Sequence, residues 1–307
     1  MSNSLLQGRR GLVVVLAVVL AVGALLLGVT RPPHTPGSPA ESVPPVSPTT
    51  TGALVHASGS AATVPSADLR GDVLPVTLPT GAVNVHVPIL MYHYVDAQPP
   101  PAGPYADSLT VRTDDFSAQM QYLVDTGHHT VTLSDVYLAM AGRRRLPTKP
   151  VALTFDDGGL DNYTVAFPEL ERRGLTATFF VITGKVGKPG QMTWAQLAEM
   201  SRRGMSIESH TVSHPDLRSV SSRRLKSELA DSRAAIQAAL DVPSQILCYP
   251  SGAYNNAVIK AARAAGYVMA VSTGRGRDGD PGAVFELKRR RVASSVSLGG
   301  FAHLLQH

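Results

Sequence analysis

The chain has 307 residues, 44% of them hydrophobic, which is enough for one large domain or two small ones with a buried core. Its single cysteine, Cys248, excludes an intrachain disulfide, so the fold must depend on its core and on any bound metal. The net charge of +5 comes with short arginine clusters, among them Arg289–Arg291, which we interpret as solvated surface and not as a nucleic-acid interface.

An apolar segment at residues 11–29 is predicted to cross a membrane. It carries no polar side chain, and at about 1.5 Å per residue a helix of this length spans roughly the 30 Å hydrocarbon core. Arg9 and Arg10 precede it, so the amino end should stay cytoplasmic and the rest should lie outside the cell, away from nucleic acid. We favour an uncleaved signal-anchor over residues 1–30, because the sequence near Val29 fits a cleavage site poorly; cleavage would make the protein secreted.

Residues 31–85 are rich in Pro, Ser, Thr, Gly and Ala and show little periodicity. Such a composition buries too little apolar surface to fold, so we expect a disordered, extended linker between the membrane and the catalytic body. Pro75, Pro79 and Pro88 mark the region where this linker is expected to dock onto the body.

Residues 86–307 alternate predicted strands with predicted helices. The predicted strands are Val87–His93, His129–Leu133, Val151–Phe155, Ala177–Ile182, Met205–Ser209, Gln245–Tyr249, Val268–Ser272 and Arg290–Ser294. The predicted helices are Phe116–Thr126, Leu133–Gly142, Tyr163–Arg173, Thr193–Arg203, Ser221–Leu240 and Asn255–Ala265. This alternation predicts an α/β fold, a distorted or incomplete (β/α) barrel of about seven to eight strands, with its chemistry at the carboxyl ends of the strands.

Two polar motifs follow predicted strands. Asp156 and Asp157 end the apolar run Val151–Phe155, and His210 and His214 follow the run Met205–Ser209. Two adjacent carboxylates are unfavourable unless a cation or a proton offsets their charge. One carboxylate with two imidazoles makes a three-ligand site with open positions, as catalytic divalent metals require.

These motifs, Thr154-Phe-Asp-Asp-Gly158 and His210-Thr-Val-Ser-His214, resemble the first two motifs of the polysaccharide deacetylases, the NodB-homology domain of carbohydrate esterase family 4. The resemblance extends over residues 86–307. It implies that Asp157, His210 and His214 bind one divalent metal and that Asp156 is the catalytic base. Zinc is the first choice for this ligand set, while iron, cobalt, nickel or manganese would also suit it.

The general acid of many relatives is a histidine in a Leu-x-x-His motif near the carboxyl terminus. Here His303 does not match that motif, whereas Leu90-Met-Tyr-His93 matches it at the opposite end of the domain. This order resembles the rearranged subgroup that acts on poly-N-acetylglucosamine. In a closed ring of strands the first and last strands are neighbours, so we assign His93 as the acid; the alternative is a core histidine between two tyrosines.

The third motif departs from the family pattern Arg-x-Pro-Tyr-Gly. The aligned run is Cys248-Tyr-Pro-Ser-Gly252, in which Cys248 cannot replace the arginine that positions the base. The same loss occurs in the rearranged subgroup. The backbone N–H of Ser251 still suits an oxyanion, and the run Tyr249, Pro250, Ser251 and Gly252 is predicted to bind substrate. For Tyr249 a packing role is an equal alternative. We interpret Cys248 itself as a buried apolar residue and not as a nucleophile.

The resemblance implies an enzyme that removes N-acetyl groups from amino sugars of an extracellular or cell-wall polysaccharide and releases acetate. A poly-N-acetylglucosamine-type substrate is favoured. The alternatives are a peptidoglycan N-deacetylase or a xylan O-acetyl esterase, which would share the metal centre, and an inactive carbohydrate-binding wall module. The sequence predicts no oligomeric state.

Overall fold

The computed structural model describes residues 73–97, 105–274 and 279–306. The predicted membrane segment at residues 11–29 and the linker up to residue 72 lie outside these ranges. Within them, no helix combines the length and the apolar character that crossing a bilayer requires.

Parallel strands form the centre of the domain. Among the described residues, an eight-stranded sheet has seven strands in the order β10, β1, β5, β6, β7, β8 and β9. The eighth strand, β4, pairs with the first half of β5, beside β6. Two further strands, β2 and β3, pair only with each other. The strands are β1 (Ile89–Tyr92), β2 (Tyr94–Val95), β3 (Thr110–Val111), β4 (His129–Val131), β5 (Pro150–Phe155), β6 (Thr178–Val181), β7 (Ser206–Ser209), β8 (Ile246–Cys248), β9 (Met269–Val271) and β10 (Arg290–Arg291).

Helices connect most of these strands, as parallel pairing requires. They are α1 (Ala106–Leu109), α2 (Thr113–Asp125), α3 (Leu133–Met140), α4 (Phe167–Arg172), α5 (Trp194–Arg202), α6 (Ser222–Leu240), α7 (Asn256–Ala264) and α8 (Leu298–Leu304). Local sequence fixes several of their starts. Thr132 and Thr193 each form a capping box with the residue three positions on, and Ser221, the first residue of a predicted helix, caps α6.

The segment that leads into β10 connects the two edges of the sheet. Leu287 forms a parallel bridge to Val271 of β9, and three residues later Arg290 pairs with Leu90 of β1. The sheet is therefore curled, consistent with the distorted barrel that the sequence predicted, and it brings residues 287–291 against the strands on both sides.

Both faces of the sheet are buried, which explains why β1, β5, β6, β8 and β9 are largely apolar along their length. Along β5, Val151, Leu153 and Phe155 pack in one cluster while Ala152 packs in the other. Tyr92, Phe155 and Phe179 stack across the neighbouring strands β1, β5 and β6, with ring centroids 5.1 Å and 4.7 Å apart. This aromatic row lies at the carboxyl ends of those strands, directly beneath the polar motifs.

All eight predicted strands are present, each shifted by at most a few residues at its ends. The predicted helix Tyr163–Arg173 is instead a π-helical turn, Asn162–Ala166, followed by α4. Pro168 has no backbone N–H to donate to the previous turn, and the N–H of Phe167 bonds to the carbonyl of Asn162, which widens that turn.

Residues 73–85, which we assigned to the linker, contact the folded domain. Gln245 binds the backbone of Leu74 twice, accepting from its N–H at 2.7 Å and donating to its carbonyl at 3.1 Å. The Tyr137 hydroxyl donates to the carbonyl of Pro75 at 2.7 Å, within the proline region where docking was expected. Leu74 itself is buried in the core.

Candidate active site

The predicted site residues other than Pro250, which is buried outside the lining, meet in one cleft of about 480 Å³ at the carboxyl ends of the strands. Four strands deliver them, as the chain order predicted: His93 follows β1, the aspartate pair follows β5, the histidine pair follows β7, and Ser251 follows β8. His303 is exposed on α8 and does not line this cleft.

Asp157, His210 and His214 form a compact group of possible metal ligands. The Oδ1 atom of Asp157 lies 3.5 Å from Nε2 of His210 and 3.8 Å from Nε2 of His214. Bonds of about 2.0–2.2 Å to a tetrahedral ion place ligand atoms roughly 3.3–3.6 Å apart, so the three groups are close to the required spacing. Asp157 and His214 both adopt left-handed backbone conformations, with φ of 74° and 59°, which is the kind of strain that functional sites retain.

Hydrogen bonding prepares His210 to be a ligand. Its Nδ1 lies 2.9 Å from the carbonyl oxygen of Cys248, which can only accept, so Nδ1 carries the proton and the Nε2 lone pair faces Asp157. Burial and the neighbouring His210 both lower the pKa of His214, which favours the neutral imidazole that a metal needs. The residues present therefore fit a divalent metal.

The loop between the two histidines is held from α6. Glu228 accepts hydrogen bonds from the backbone N–H groups of Val212 and Ser213, at 3.0 Å and 2.8 Å, and from the Ser213 hydroxyl. The Thr211 hydroxyl accepts from the N–H of His214 at 3.0 Å. A buried carboxylate on a long helix thus fixes the backbone from which the imidazoles project.

Asp156 forms a bidentate ion pair with an arginine that was not predicted from the sequence. Arg289 donates from Nη1 to Oδ1 and from Nη2 to Oδ2 of Asp156, both at 2.7 Å, and its side chain is fully buried. Our interpretation of the Arg289–Arg291 cluster as solvated surface was therefore wrong for Arg289. Its guanidinium also binds the Thr154 hydroxyl and the Ser272 carbonyl.

The arginine decides the charge of the carboxylate. Burial by itself raises the pKa of Asp156, but the charge and the paired hydrogen bonds of Arg289 outweigh burial and hold that pKa well below its usual range. Asp156 is therefore ionised across the physiological pH range, and it is unavailable to a metal because both oxygens already face the guanidinium.

Cys248 lies against this pair and does no chemistry of its own. Its Sγ is 3.0 Å from Nη2 of Arg289 and 3.6 Å from Oδ2 of Asp156. Asp156, His210 and Cys248 are close enough to suggest a second metal group. However, burial raises the pKa of the Cys248 thiol well above its ordinary value, and a protonated thiol is neither a ligand nor a nucleophile.

His93 faces Asp156 from the other side. Its Nε2 lies 3.8 Å from Oδ2 of Asp156, and burial lowers its pKa although Asp156 and Asp157 oppose that shift. Its buried Nδ1 has no hydrogen-bond partner among the described residues. The imidazole thus lies within the cleft next to the base, where a reacting amide would need a proton donor.

The loop after β8 brings backbone, and not a tyrosine ring, to the cleft. Ser251 has a left-handed φ of 54° and is exposed, while a Cβ on Gly252 would lie 2.3 Å from Oγ1 of Thr273, so only glycine fits there. The Tyr249 side chain is fully buried and stacks on Tyr254 with centroids 4.8 Å apart. Its ring therefore serves packing and presents no face for a sugar.

Comparison with known proteins identifies the family. Residues 143–270 match the family described as Polysaccharide deacetylase. The putative polysaccharide deacetylase YxkH of Bacillus subtilis is 34% identical over 220 residues, which are 72% of this chain and 76% of that protein. The chain therefore belongs to the polysaccharide deacetylase family, and the resemblance drawn from its motifs is confirmed.

Two further similarities bear on the site. The Streptococcus pyogenes deacetylase PplD, solved in complex with acetate, superposes with a TM-score of 0.68 at 32% identity, covering 73% of this chain and 100% of that one. A poly-beta-1,6-N-acetyl-D-glucosamine N-deacetylase of Staphylococcus epidermidis is 28% identical over 171 residues, which are 50% of this chain and 57% of that protein.

Proposed function

We propose that this protein is a metal-dependent hydrolase that removes N-acetyl groups from amino sugars of a polysaccharide and releases acetate. The observation that carries the proposal is the cleft in which the group Asp157, His210 and His214 adjoins Asp156, itself held ionised by Arg289, with His93 on the far side of that base. These are the parts that amide hydrolysis needs: a site for a Lewis acid, a base and a proton donor.

Each residue has a distinct part in the reaction. Asp156 accepts a proton from the attacking water. Because its own pKa is low, Asp156 is a weak base, and the pKa of that water must also be lowered. Asp157, His210 and His214 would hold a divalent ion, which would lower the pKa of the water and act as a Lewis acid toward the acetyl carbonyl. The N–H of Ser251 stabilises the oxygen on which negative charge develops. His93 then donates a proton to the sugar nitrogen as the C–N bond breaks, which leaves acetate and a free amine.

The favoured substrate is a poly-N-acetylglucosamine-type polymer. Two features support this choice: the acid His93 precedes the aspartate motif along the chain, and a relative at 28% identity is named for that polymer. Peptidoglycan and acetylated xylan remain alternatives, because they would be processed by the same centre. We further propose that residues 11–29 anchor the enzyme in the cell membrane with its catalytic domain outside.

Acetate release tests the activity. We expect wild-type protein loaded with zinc to release acetate from β-1,6-linked N-acetylglucosamine oligomers, and to lose that activity with a chelator. Asp156→Asn, which keeps the shape of the side chain, should lower kcat by about two to four orders of magnitude. Peptidoglycan fragments and acetylated xylan assayed in parallel identify the preferred polymer.

Elemental analysis separates an enzyme from an inert wall-binding module. The wild-type protein should purify with about one divalent ion, and His210→Ala should purify without it. A wild-type protein that binds the oligomer, contains no metal and releases no acetate from any of the three polymers would refute the proposed function.

A further inference from the structure

The acid residue of the proposed mechanism has no side chain holding its ring in place. Within the part of the chain that the structure describes, Nδ1 of His93 has no hydrogen-bond partner, and Nε2 is 3.8 Å from Asp156, beyond hydrogen-bond distance. No hydrogen bond fixes the orientation of the imidazole, so its position depends on packing and on the backbone that carries it. That backbone lies between β1 and the short strand β2.

Two adjacent side chains hold this backbone. Asn162 donates from Nδ2 to the carbonyl of His93 at 2.9 Å, and Oδ2 of Asp161 accepts from the N–H of Val95 at 2.7 Å. The same Oδ2 accepts from Nδ2 of Asn162 at 2.9 Å, which joins the two contacts. Asn162 is fully buried, although it lies outside the core clusters. We call these two side chains the His93 clamp.

The clamp belongs to the same loop that carries the base. Asp156 and Asp157 end β5, and the clamp residues follow within a few positions, at the start of the π-helical turn. Gly159 lies between, where a Cβ would come 2.4 Å from Oδ1 of Asp161. One short loop thus carries the base and a metal ligand at its start, and at its end it hydrogen-bonds to the backbone of His93 and Val95.

We propose that Asp161 and Asn162 are positioning residues for proton donation by His93, acting through the backbone of residues 93–95. This inference rests on the proposed function, in which His93 is the acid. A clamp built from the loop of the base fixes the acid and the base relative to each other, which a hydrogen bond to Nδ1 from elsewhere in the fold would not do. Misplacement by even 1 Å is costly in such geometry.

Substrates with different leaving groups test the clamp. Loss of an acid should slow the release of a sugar amine, which must be protonated to leave, and should scarcely slow 4-nitrophenyl acetate, whose leaving group needs no proton. For Asn162→Ala and Asp161→Ala we expect kcat on an N-acetylglucosamine oligomer to fall about 10- to 100-fold, and kcat on the ester to fall less than about 3-fold. Asp161→Asn keeps an acceptor for Val95 and should restore most of the amide activity.

Three comparisons make the test decisive. His93→Ala should show the same substrate pattern, and the double variant His93→Ala/Asn162→Ala should be no slower than His93→Ala alone, because the clamp acts only through His93. Thr164→Ala, an exposed position on the same turn, should resemble the wild type. Equal losses on both substrates, or additive losses in the double variant, would overturn the inference.

Hydrogen–deuterium exchange examines the clamp apart from catalysis. Asp161→Ala should speed exchange at the N–H of Val95, and unchanged exchange would show that the clamp does not restrain this backbone. A wild-type protein inactive on the oligomer but active on the ester refutes the proposed function and, with it, the role in proton donation. The exchange result still decides whether the restraint on residues 93–95 exists.

Discussion

Arg289 reaches Asp156 across the sheet, from a position 133 residues further along the chain. Typical members of the family carry the arginine for this purpose in the third motif, at the position that is Cys248 here. The small Cys248 side chain lies 3.0 Å from Nη2 of Arg289, and an arginine at 248 would compete for the same space. The contact that an arginine at position 248 would make is therefore supplied by the segment that directly precedes β10.

Removing this arginine should change both the activity and its pH dependence. In the wild type the pKa of Asp156 is held far below neutrality, so the base is ionised throughout the working range. In Arg289→Leu the strongest influence that lowers the pKa of Asp156 is lost, and burial, which outweighs the smaller effects of His210 and His93, raises that pKa above its ordinary value of about 3.9. We expect the acidic limb of the kcat/KM profile to move upward by at least one pH unit, and activity at pH 7 to fall about 100-fold.

Stability must be followed in the same variant, because removing one partner of a buried ion pair typically costs about 3–5 kcal/mol. Circular dichroism and thermal unfolding show whether Arg289→Leu is folded at the assay temperature. Arg145→Leu, at an exposed position, controls for the loss of an arginine. An acidic limb that stays in place in a folded Arg289→Leu protein would show that Arg289 does not set the charge of Asp156.

At the scale of elements, α6 supports the proposed metal site without contributing a ligand. Glu228 projects from its second turn and accepts from two successive N–H groups and a hydroxyl of the loop between His210 and His214. Such support fixes the direction of ligating imidazoles, and its loss typically lowers metal affinity about 10- to 100-fold.

Glu228→Ala should therefore weaken zinc binding by about 10- to 100-fold while leaving all three ligands in place. In Glu228→Gln the side chain still accepts hydrogen bonds from the backbone N–H groups. This variant should therefore bind zinc more tightly than Glu228→Ala. Asp231→Ala, at an exposed position on the same helix, should match the wild type. Competition titrations against a chelator measure these affinities, and equal affinity in Glu228→Ala and the wild type would exclude a supporting role.

The sequence predicted those elements whose periodicity is local. Five strands of the curled sheet contain an apolar run of three or more residues, namely β1, β5, β6, β8 and β9, and Ser221 marks the start of α6 as its cap. In contrast, β2 and β3 are two residues long and carry no recognisable pattern, and the widening of the helix before α4 depends on one proline.

The residues of the candidate site also divide into those that local sequence predicts and those that it does not. Asp156, Asp157, His210 and His214 could be predicted because the members of each pair lie within four positions of each other and follow a predicted strand. Arg289 was missed because its contact with Asp156 exists only once residues 287–291 join the two edges of the sheet. The sequence showed only that Arg289 lies beside a predicted strand. Its charged neighbours in the sequence made this buried arginine look like part of a surface cluster.

At the scale of the whole molecule, the two ends of the sheet have separate tasks. Gln245 directly precedes β8 and binds Leu74, whereas Tyr249 directly follows β8 and begins the loop that lines the cleft. Leu74 therefore packs at the amino end of β8, away from the cleft at the carboxyl ends of the strands. A change in the segment that carries Leu74 should alter stability and leave the chemistry intact.

Leu74→Ala tests this separation in the full chain. Leu74 is 2% exposed, and truncation of a buried leucine costs about 2–5 kcal/mol; we expect about 2 kcal/mol because the segment lies at the edge of the core. Denaturant unfolding measures the loss, and kcat/KM for acetate release at 25 °C should equal that of the wild type. Val73→Ala, at a neighbouring position that is 77% exposed, should change neither quantity. A fall in kcat/KM of a folded Leu74→Ala protein would mean that the two ends of the sheet are coupled, since no contact of Leu74 reaches the cleft among the residues that the structure describes.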